Sequence, residues 1–380
     1  MRPFNILALL PLVLANPLTV RTTACNNSPD LCDKSYGEIT HLGAHDSPFV
    51  RDSSTDESIA GDQYYDTTTQ LDAGVRLVTA QVHKSDSAWH LCHSSCDLLD
   101  AGLLKTWLGK IKTWLDDNPN EVVTILLVNS DSATAAELGA IYEDANITSY
   151  AYEPSSLTTA PSSWPTLQEM INNGTRLVNF VASLDASSSY PYLLDEWDFV
   201  WENNYDVTDA SNFTCTPNRP STYENDLSSA LASNFLPLMN HFLYSTISVL
   251  DIEYPNASYV ATTNAPSGGT GNLGSTATKC KAAYNGRQPT FILVDFFNRG
   301  PAIDTVDSLN NVTNAVGRTS VSTSASTSSS DGSTVNGVLT SLVNLAESAR
   351  SGSTPTMGNW IWVGGSWGSI LGGWHQPLIA

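Results

Sequence analysis

Short apolar runs alternate along the chain with stretches whose apolar residues recur at helical spacing. This alternation is typical of an α/β protein with parallel strands. Strands are predicted at 38–45, 75–82, 89–93, 122–129, 176–182, 198–202, 237–243 and 290–297. Eight such runs predict an α/β barrel of the TIM (β/α)8 type, closed or distorted.

Helices are predicted between these strands, at 101–116, 133–144, 166–173, 224–235 and 302–315. In the first of them, apolar residues from Leu103 to Leu115 recur on one face, as in a helix that packs against a sheet. The last strand has the clearest pattern, because TFILVDFF is apolar and β-rich and ends in the turn residues Asn298 and Gly300.

The two ends of the chain differ in composition from the part between them. The first fifteen residues, MRPFNILALLPLVLA, place one arginine before a short apolar run and predict a cleaved signal peptide at 1–15. Serine and threonine dominate 317–337, which predicts an extended linker and a barrel domain at 25–316. The Trp- and Gly-rich tail at 338–380 is interpreted as a packed or interface-forming segment, with a glycosylphosphatidylinositol signal as the alternative.

Cysteine content fits an oxidising, extracellular location. The cysteines form an even set, and proximity along the chain predicts the pairs Cys25–Cys32, Cys92–Cys96 and Cys215–Cys280. Acceptor tripeptides for N-glycosylation occur at Asn26, Asn146, Asn173, Asn212, Asn256 and Asn311. We therefore expect a secreted, disulfide-bonded glycoprotein.

Charge narrows the range of partners. The chain has 17 basic and 38 acidic residues, a formal net charge of -21, which opposes binding to nucleic acid or to a strongly anionic membrane surface. No nucleic-acid partner is expected, and the sequence predicts no particular oligomeric state.

Several segments resemble, in order along the chain, the catalytic X region of the phosphatidylinositol-specific phospholipases C. GAHDS is similar to the segment that opens this region, and AGVRLVTAQV to the strand that follows it. WHLCHSSC is similar to the segment that carries the second histidine of the family, and PNEVVTILLV to the fourth strand. TFILVDFF is similar to a late strand whose aspartate supports the first histidine, so the resemblance covers roughly residues 25–313.

The resemblance implies a role for each of four residues. His45 would be the general base toward an inositol 2-hydroxyl, Asp295 would orient it, and His93 would protonate the leaving glycerol oxygen. Asp46 would hydrogen-bond to His93 and tune it. The residue types suit this chemistry, because transfer at phosphorus needs one group that accepts a proton and another that donates one, and imidazole does both near neutral pH.

The second and fourth strands depart from the family pattern. Thr79 and Gln81 stand where bacterial members carry an Asp and an Arg and where metal-dependent members carry carboxylates, and Asn129 replaces a further carboxylate. Because neutral oxygens bind calcium weakly, neither a metal nor any other cofactor is expected. Period-two alternation projects His83 to the same face as Thr79 and Gln81, so these residues and Asn129 are predicted to contact the substrate; a polar strand exit is the alternative for His83.

Three functions remain open at this point. The first is a secreted phosphoric diester hydrolase of the phospholipase C type, acting without metal on a phospholipid head group during transient membrane contact. Enzymes of the glycerophosphodiester phosphodiesterase or sphingomyelinase D type share the barrel but need metal carboxylates that this sequence does not place. The third is a weakened or inactive barrel that binds a lipid, glycan or wall component, which Gln81 favours and His45 and His93 oppose.

Overall fold

Apolar and β-branched runs form the strands, and each parallel strand is buried along most of its length. The computed structural model describes residues 24–247 and 252–324, so the predicted signal peptide, most of the predicted linker and the C-terminal tail lie outside the described residues. The strands are β1 His41–Ala44, β2 Leu77–Ser85, β3 Ala88–Cys92, β4 Asp100–Leu103, β5 Val123–Asn129, β6 Leu177–Ala182, β7 Leu193–Asp195, β8 Val200–Glu202, β9 Leu236–Asn240, β10 Tyr244–Ile247, β11 Ile252–Pro255 and β12 Phe291–Val294.

Helices occupy most of the connections between these strands. They are α1 Thr67–Ala73, α2 Leu104–Asp117, α3 Ala135–Asp144, α4 Leu167–Asn173, α5 Leu227–Ala232, α6 Val260–Thr263, α7 Leu273–Ala283 and α8 Ala302–Leu309. Polar side chains cap several first turns: Asp66 accepts from the Thr69 amide, and Thr134 and Thr166 each form a reciprocal capping box with a glutamate.

The parallel strands form one curled sheet in the order β7-β6-β5-β2-β1-β12-β9-β8. The predicted α/β barrel is therefore confirmed, in a distorted form in which β7 and β8 are edges that do not pair with each other. One predicted barrel strand was wrong: 89–93 corresponds to β3, which pairs antiparallel with β2 (Val82 opposite Leu91) and then with β4. Alternation alone does not distinguish a hairpin strand from a barrel strand, and the barrel strand that completes the set is the unpredicted β7.

Side chains of the barrel strands alternate between two apolar layers. In β2, Leu77 points into the barrel, where it packs with Phe180 and Phe291, whereas Val78 joins the layer beneath the helices. Buried Leu108 and Ile111 of α2 belong to that outer layer. Because the interior is filled with side chains, function is confined to the mouth of the barrel.

Arg76, the arginine of the AGVRLV segment, is a structural centre just before β2. It is buried, and its Nε and Nη2 donate to Glu121 Oε2 at 2.9 and 2.6 Å. Nη1 donates to the carbonyls of Leu71 and Val75 at 2.7 and 2.6 Å, and Nη2 also donates to Asn27. These hydrogen bonds use all five N–H groups of the guanidinium. They connect the N-terminal segment, α1 and the residues just before β5.

The predicted disulfides are confirmed. Cα–Cα distances are 5.0 Å for Cys25–Cys32, 4.7 Å for Cys92–Cys96 and 5.1 Å for Cys215–Cys280. No helix among the described residues is long and apolar enough to cross a membrane.

The glycosylation tripeptides differ in accessibility. Asn146, Asn173, Asn212 and Asn311 are exposed and Asn256 is half-buried. Asn26 is buried, and its Oδ1 accepts from the Val122 amide, so this position is closed to a glycan in the folded chain. Glycosylation of the exposed positions stays a prediction.

Residues that follow the predicted barrel domain also contact it. Arg318 forms a bidentate ion pair with Asp307 at 2.5 and 2.7 Å, and the Thr319 amide donates to the Asp72 carbonyl. Asn298 donates to the carbonyl of Ser322 at 2.8 Å. The first part of the predicted linker thus lies against the barrel.

Candidate active site

His45 and Asp295 are brought together by strand register. Ala44 pairs with Val294 at the ends of β1 and β12, so the next residue of each strand emerges side by side at the C-terminal mouth. His45 Nδ1 lies 2.8 Å from Asp295 Oδ1. Phe242 stacks on the His45 ring with 3.7 Å between centroids and 4° between planes, so the imidazole is fixed in orientation.

His93 reaches the same mouth from the hairpin. It directly follows β3, and the Cys92–Cys96 disulfide closes the loop that contains it. The His93 amide donates to the Leu99 carbonyl at 3.0 Å. The His93 and Phe49 rings pack edge to face. The hairpin that replaces the expected barrel strand is therefore what carries the second histidine.

Two carboxyl groups lie between the imidazoles. Asp46 Oδ2 is 3.9 Å from His45 Nε2 and 3.6 Å from His93 Nε2. Asp62 Oδ1 is 3.7 Å from His45 Nδ1, and its Oδ2 is 3.4 Å from His93 Nε2. The side chains of His45 and His93 remain 13% and 11% exposed, so both rings can be reached from solvent.

The sequence pattern does not predict Asp62 as a site residue. It lies in the long loop between β1 and α1, far from any strand end, and AGDQYY carries no motif that marks it. Its side chain is fully buried, and both carboxyl oxygens lack a hydrogen-bond partner among the described residues. The backbone fixes its position, since the Asp62 amide donates to Phe49 and its carbonyl accepts from Phe296.

Gln81 connects the two histidine loops. Its Nε2 donates to Asp46 Oδ2 at 2.7 Å, and its Oε1 accepts from the Ser94 amide at 2.8 Å. Thr79 Oγ1 accepts from the Asp46 amide at 2.8 Å. The inward-facing residues of β2 therefore hold the residues next to His45 and His93 in place.

The other two predicted substrate contacts have partners outside this network. His83 is buried, with Nδ1 3.5 Å from Asp131 Oδ1. Burial lowers the pKa of His83 even though Asp131 and Asp46 oppose that shift, which disfavours a positive charge there. Asn129 is engaged in a local turn, where it both donates to and accepts from the backbone of Ala133.

The protonation tendencies of the two imidazoles differ. Burial alone would lower the pKa of His45, but the charges of Asp46 and Asp295 outweigh it and raise that pKa. Burial is also the largest influence on His93, where it is not overcome and lowers the pKa to about 4. Burial, followed by repulsion from Asp295 and Asp46, raises the pKa of Asp62 well above its usual range. Such opposed shifts within one cleft are typical of acid–base sites.

Backbone strain is concentrated at the same place. Asp46, Ser94 and Phe296, which directly follow His45, His93 and Asp295, all have positive φ, at 46°, 59° and 41°. Left-handed backbone is unfavourable for such side chains, most of all for phenylalanine. It persists where the surroundings enforce it, and it is enriched at functional sites.

Two groups of side chains among the described residues could offer ligands to a metal ion. One donor atom each from His45, Asp46 and Asp62 lie within 4.8 Å of one another. However, His45 Nδ1 is hydrogen-bonded to Asp295, and Asp46 Oδ2 accepts from Gln81. A second group contains Cys92 and Cys96, whose sulfurs are consumed in the disulfide. These contacts favour a proton-transfer network over a cation cage.

Comparisons with known proteins identify relatives over most of the chain. Residues 31–310 match the family model described as PI-PLC X 1. A protein of Arthroderma benhamiae named PI-PLC X domain-containing protein 1 is 35% identical over 77% of this chain and 92% of its own length. An uncharacterized secreted protein of the same organism is 37% identical over 78% of this chain, which spans 66% of that relative.

Solved structures with a similar fold include two bacterial phosphatidylinositol-specific phospholipases C. A mutant of the Staphylococcus aureus protein superposes with a TM-score of 0.50 at 16% identity, covering 76% of this chain and 98% of its own. The Listeria monocytogenes protein also gives a TM-score of 0.50, at 14% identity and with the same coverage. At this identity the similarity concerns the fold alone.

Proposed function

The chain belongs to the family of proteins that carry the PI-PLC X domain, and we therefore propose that it is a secreted phosphoric diester hydrolase of the phospholipase C type. The substrate is an inositol phospholipid or a related phosphodiester. The observation that carries the proposal is the pair of solvent-accessible imidazoles, His45 and His93, joined by buried carboxyl groups at the mouth of the barrel.

In the proposed reaction, His45 accepts the proton of the inositol 2-hydroxyl through Nε2, while its Nδ1 is held by Asp295. The hydroxyl oxygen bonds to phosphorus, and the bond from phosphorus to the glycerol oxygen breaks. His93 donates the proton that this leaving oxygen needs, and Asp46 lies close enough to stabilise the charged form of either ring. The products are a cyclic inositol phosphate and diacylglycerol.

The extracellular location is part of the proposal. The disulfides fit an oxidising compartment, and one relative is named as a secreted protein. Contact with a membrane need only be transient, since the substrate presents its head group to the solvent.

Incubation of the purified protein with phosphatidylinositol vesicles tests the proposal directly. We expect release of cyclic inositol phosphate, and we expect turnover to survive chelation of divalent cations. Thr79, Gln81 and Asn129 are each committed to internal hydrogen bonds and do not form an oxygen cage. Activity that is lost with chelator and restored by calcium would instead make Asp46, Asp62 and Asp295 metal ligands. No turnover under either condition would favour a binding function.

The pH dependence of kcat/KM should be bell-shaped, because the reaction needs one proton on the histidine pair. With both rings protonated there is no base, and with both neutral there is no acid. The pKa of His93 is about 4 and that of His45 is raised above its usual 6.5, so the proton of the singly protonated pair lies mainly on His45. The form that reacts, with His45 neutral and His93 protonated, is the minor form over the same pH range. Activity should therefore fall below a pH of about 4, and fall again above the raised pKa of His45.

Asp295→Asn provides the check on this profile. Removing the Asp295 charge lowers the pKa of His45, so the alkaline limb should move to lower pH while the acid limb stays in place. An alkaline limb that does not move would show that His45 does not control it.

A further inference from the structure

Three acidic side chains line the candidate site. Asp46, Asp62 and Asp295 surround the two imidazoles, and within residues 24–247 and 252–324 none of these carboxylates forms an ion pair with a lysine or arginine. A phosphodiester adds a further negative charge, which grows on the phosphoryl oxygens during transfer. A fixed positive group nearby would stabilise that charge.

Arg51 is held beside these carboxyl groups by the loop that also contains Asp62. Its Nη2 donates to the Ile59 carbonyl at 2.6 Å, and its Nε donates to the Gly61 carbonyl at 3.2 Å. The guanidinium lies 5.0 Å from the centroid of the Phe296 ring. Gly61 precedes Asp62 and Phe296 follows Asp295 in the sequence. The guanidinium therefore contacts the residues next to two of the carboxylates.

The remaining donors of Arg51 are not committed to a carboxylate within the described residues. Arg76, Arg219 and Arg318 each form an ion pair with a carboxylate. Arg51, like Arg176, forms no such ion pair within the described residues, and its side-chain hydrogen bonds there use two of its five N–H groups. A guanidinium that is fixed on one edge keeps donors for a second partner.

The charge of Arg51 acts on the site. Burial is the main reason that the pKa of His93 is low, and the positive charge of Arg51 adds to the effect. The pKa values of Asp62 and Asp295 are raised chiefly by burial, and the same positive charge opposes that rise. Arg51 therefore interacts electrostatically with both sides of the cleft.

We propose that Arg51 binds a non-bridging phosphoryl oxygen of the phosphodiester that lies between His45 and His93. The inference rests on the proposed function for its substrate, and it supplies the positive charge that Gln81 does not. A guanidinium suits this role because it is planar and permanently charged. Its fixed donors need no reorganisation as negative charge develops on the phosphoryl oxygens.

The test compares Arg51→Gln and Arg51→Lys with Arg287→Gln. Arg287 is also half-buried and loses the same charge, but it lies just before β12, at the opposite end of the strand from Asp295. With phosphatidylinositol vesicles, Arg51→Gln should lower kcat/KM by about 10² to 10³-fold, and Arg51→Lys should lose less. Arg287→Gln should stay within about twofold of wild type.

Inorganic phosphate is the second probe. Binding followed by ³¹P NMR or calorimetry should weaken at least about tenfold in Arg51→Gln, as expected for loss of one charged hydrogen bond, and should be unchanged in Arg287→Gln. Circular dichroism and the melting temperature establish that each variant is folded. If Arg51→Gln unfolds, Arg51→Lys and rescue of Arg51→Ala by methylguanidine give the same comparison.

Wild-type kcat/KM and phosphate affinity in a folded Arg51→Gln would overturn the inference. A loss of turnover with unchanged phosphate binding and no methylguanidine rescue would also overturn it, since Arg51 would then only position its loop. If the wild-type protein does not cleave phosphatidylinositol but binds phosphate through Arg51, the inference stands and the proposed function fails.

Discussion

Alanine at His45 or at His93 is expected to lower kcat/KM toward a cleavable phosphodiester at least about a hundredfold. A positioned general acid or base contributes roughly 10² to 10⁴-fold to the rate. Because the two histidines act together in one reaction step, kcat/KM of the double variant should be only slightly below that of the less active single variant.

His90→Ala is the matched control for this experiment. His90 lies on the same hairpin as His93, but its Nδ1 is 2.9 Å from Asp100 and its side chain is partly exposed. We expect activity within about twofold of wild type, as for other surface substitutions. Undiminished turnover in His93→Ala would remove the assignment of the acid and would favour the binding function.

Arg76→Met is expected to lower the free energy of unfolding by about 3 to 5 kcal/mol, the usual cost of leaving one partner of a buried ion pair without the other. Glu121 would keep a buried charge, and the carbonyls of Leu71 and Val75 would lose their donor. Urea unfolding with the disulfides intact measures the change.

Lys112→Met serves for comparison, because Lys112 forms an exposed pair with Asp116 at a distance of 2.6 Å, one helical turn away. Such an exposed pair contributes little to stability, so the free energy of unfolding should change far less in Lys112→Met than in Arg76→Met. Equal effects of the two substitutions would contradict the structural role assigned to Arg76.

The extent to which sequence predicts this fold depends on the length and position of each element. Long apolar strands such as β5 and long amphipathic helices such as α2 are visible from periodicity alone. β7 has three residues, too few for a pattern to develop, and α1 begins with three threonines whose helical state depends on the Asp66 cap. Tertiary contacts, not local preference, determine these elements.

The candidate site divides in the same way. His45 and Asp295 follow adjacent strands, so the parallel barrel predicted from the sequence already implies that they meet. Asp62 approaches from a long loop whose course no periodicity describes, and it is located only once the Phe49 and Phe296 backbones are placed. Gln81, interpreted from the sequence as a loss, instead bonds to both histidine loops.

The unpaired edges of β7 and β8 affect whether two copies of the chain could associate through strand pairing. A strand that is open on one side offers unpaired N–H and C=O groups to any neighbouring chain, and long flat edges of this kind template aggregation. Here each edge strand has three residues, and most of those residues are buried. The strands of the barrel therefore do not form a closed ring of hydrogen-bonded pairs. Even so, neither edge strand exposes a surface on which a second molecule could add a strand.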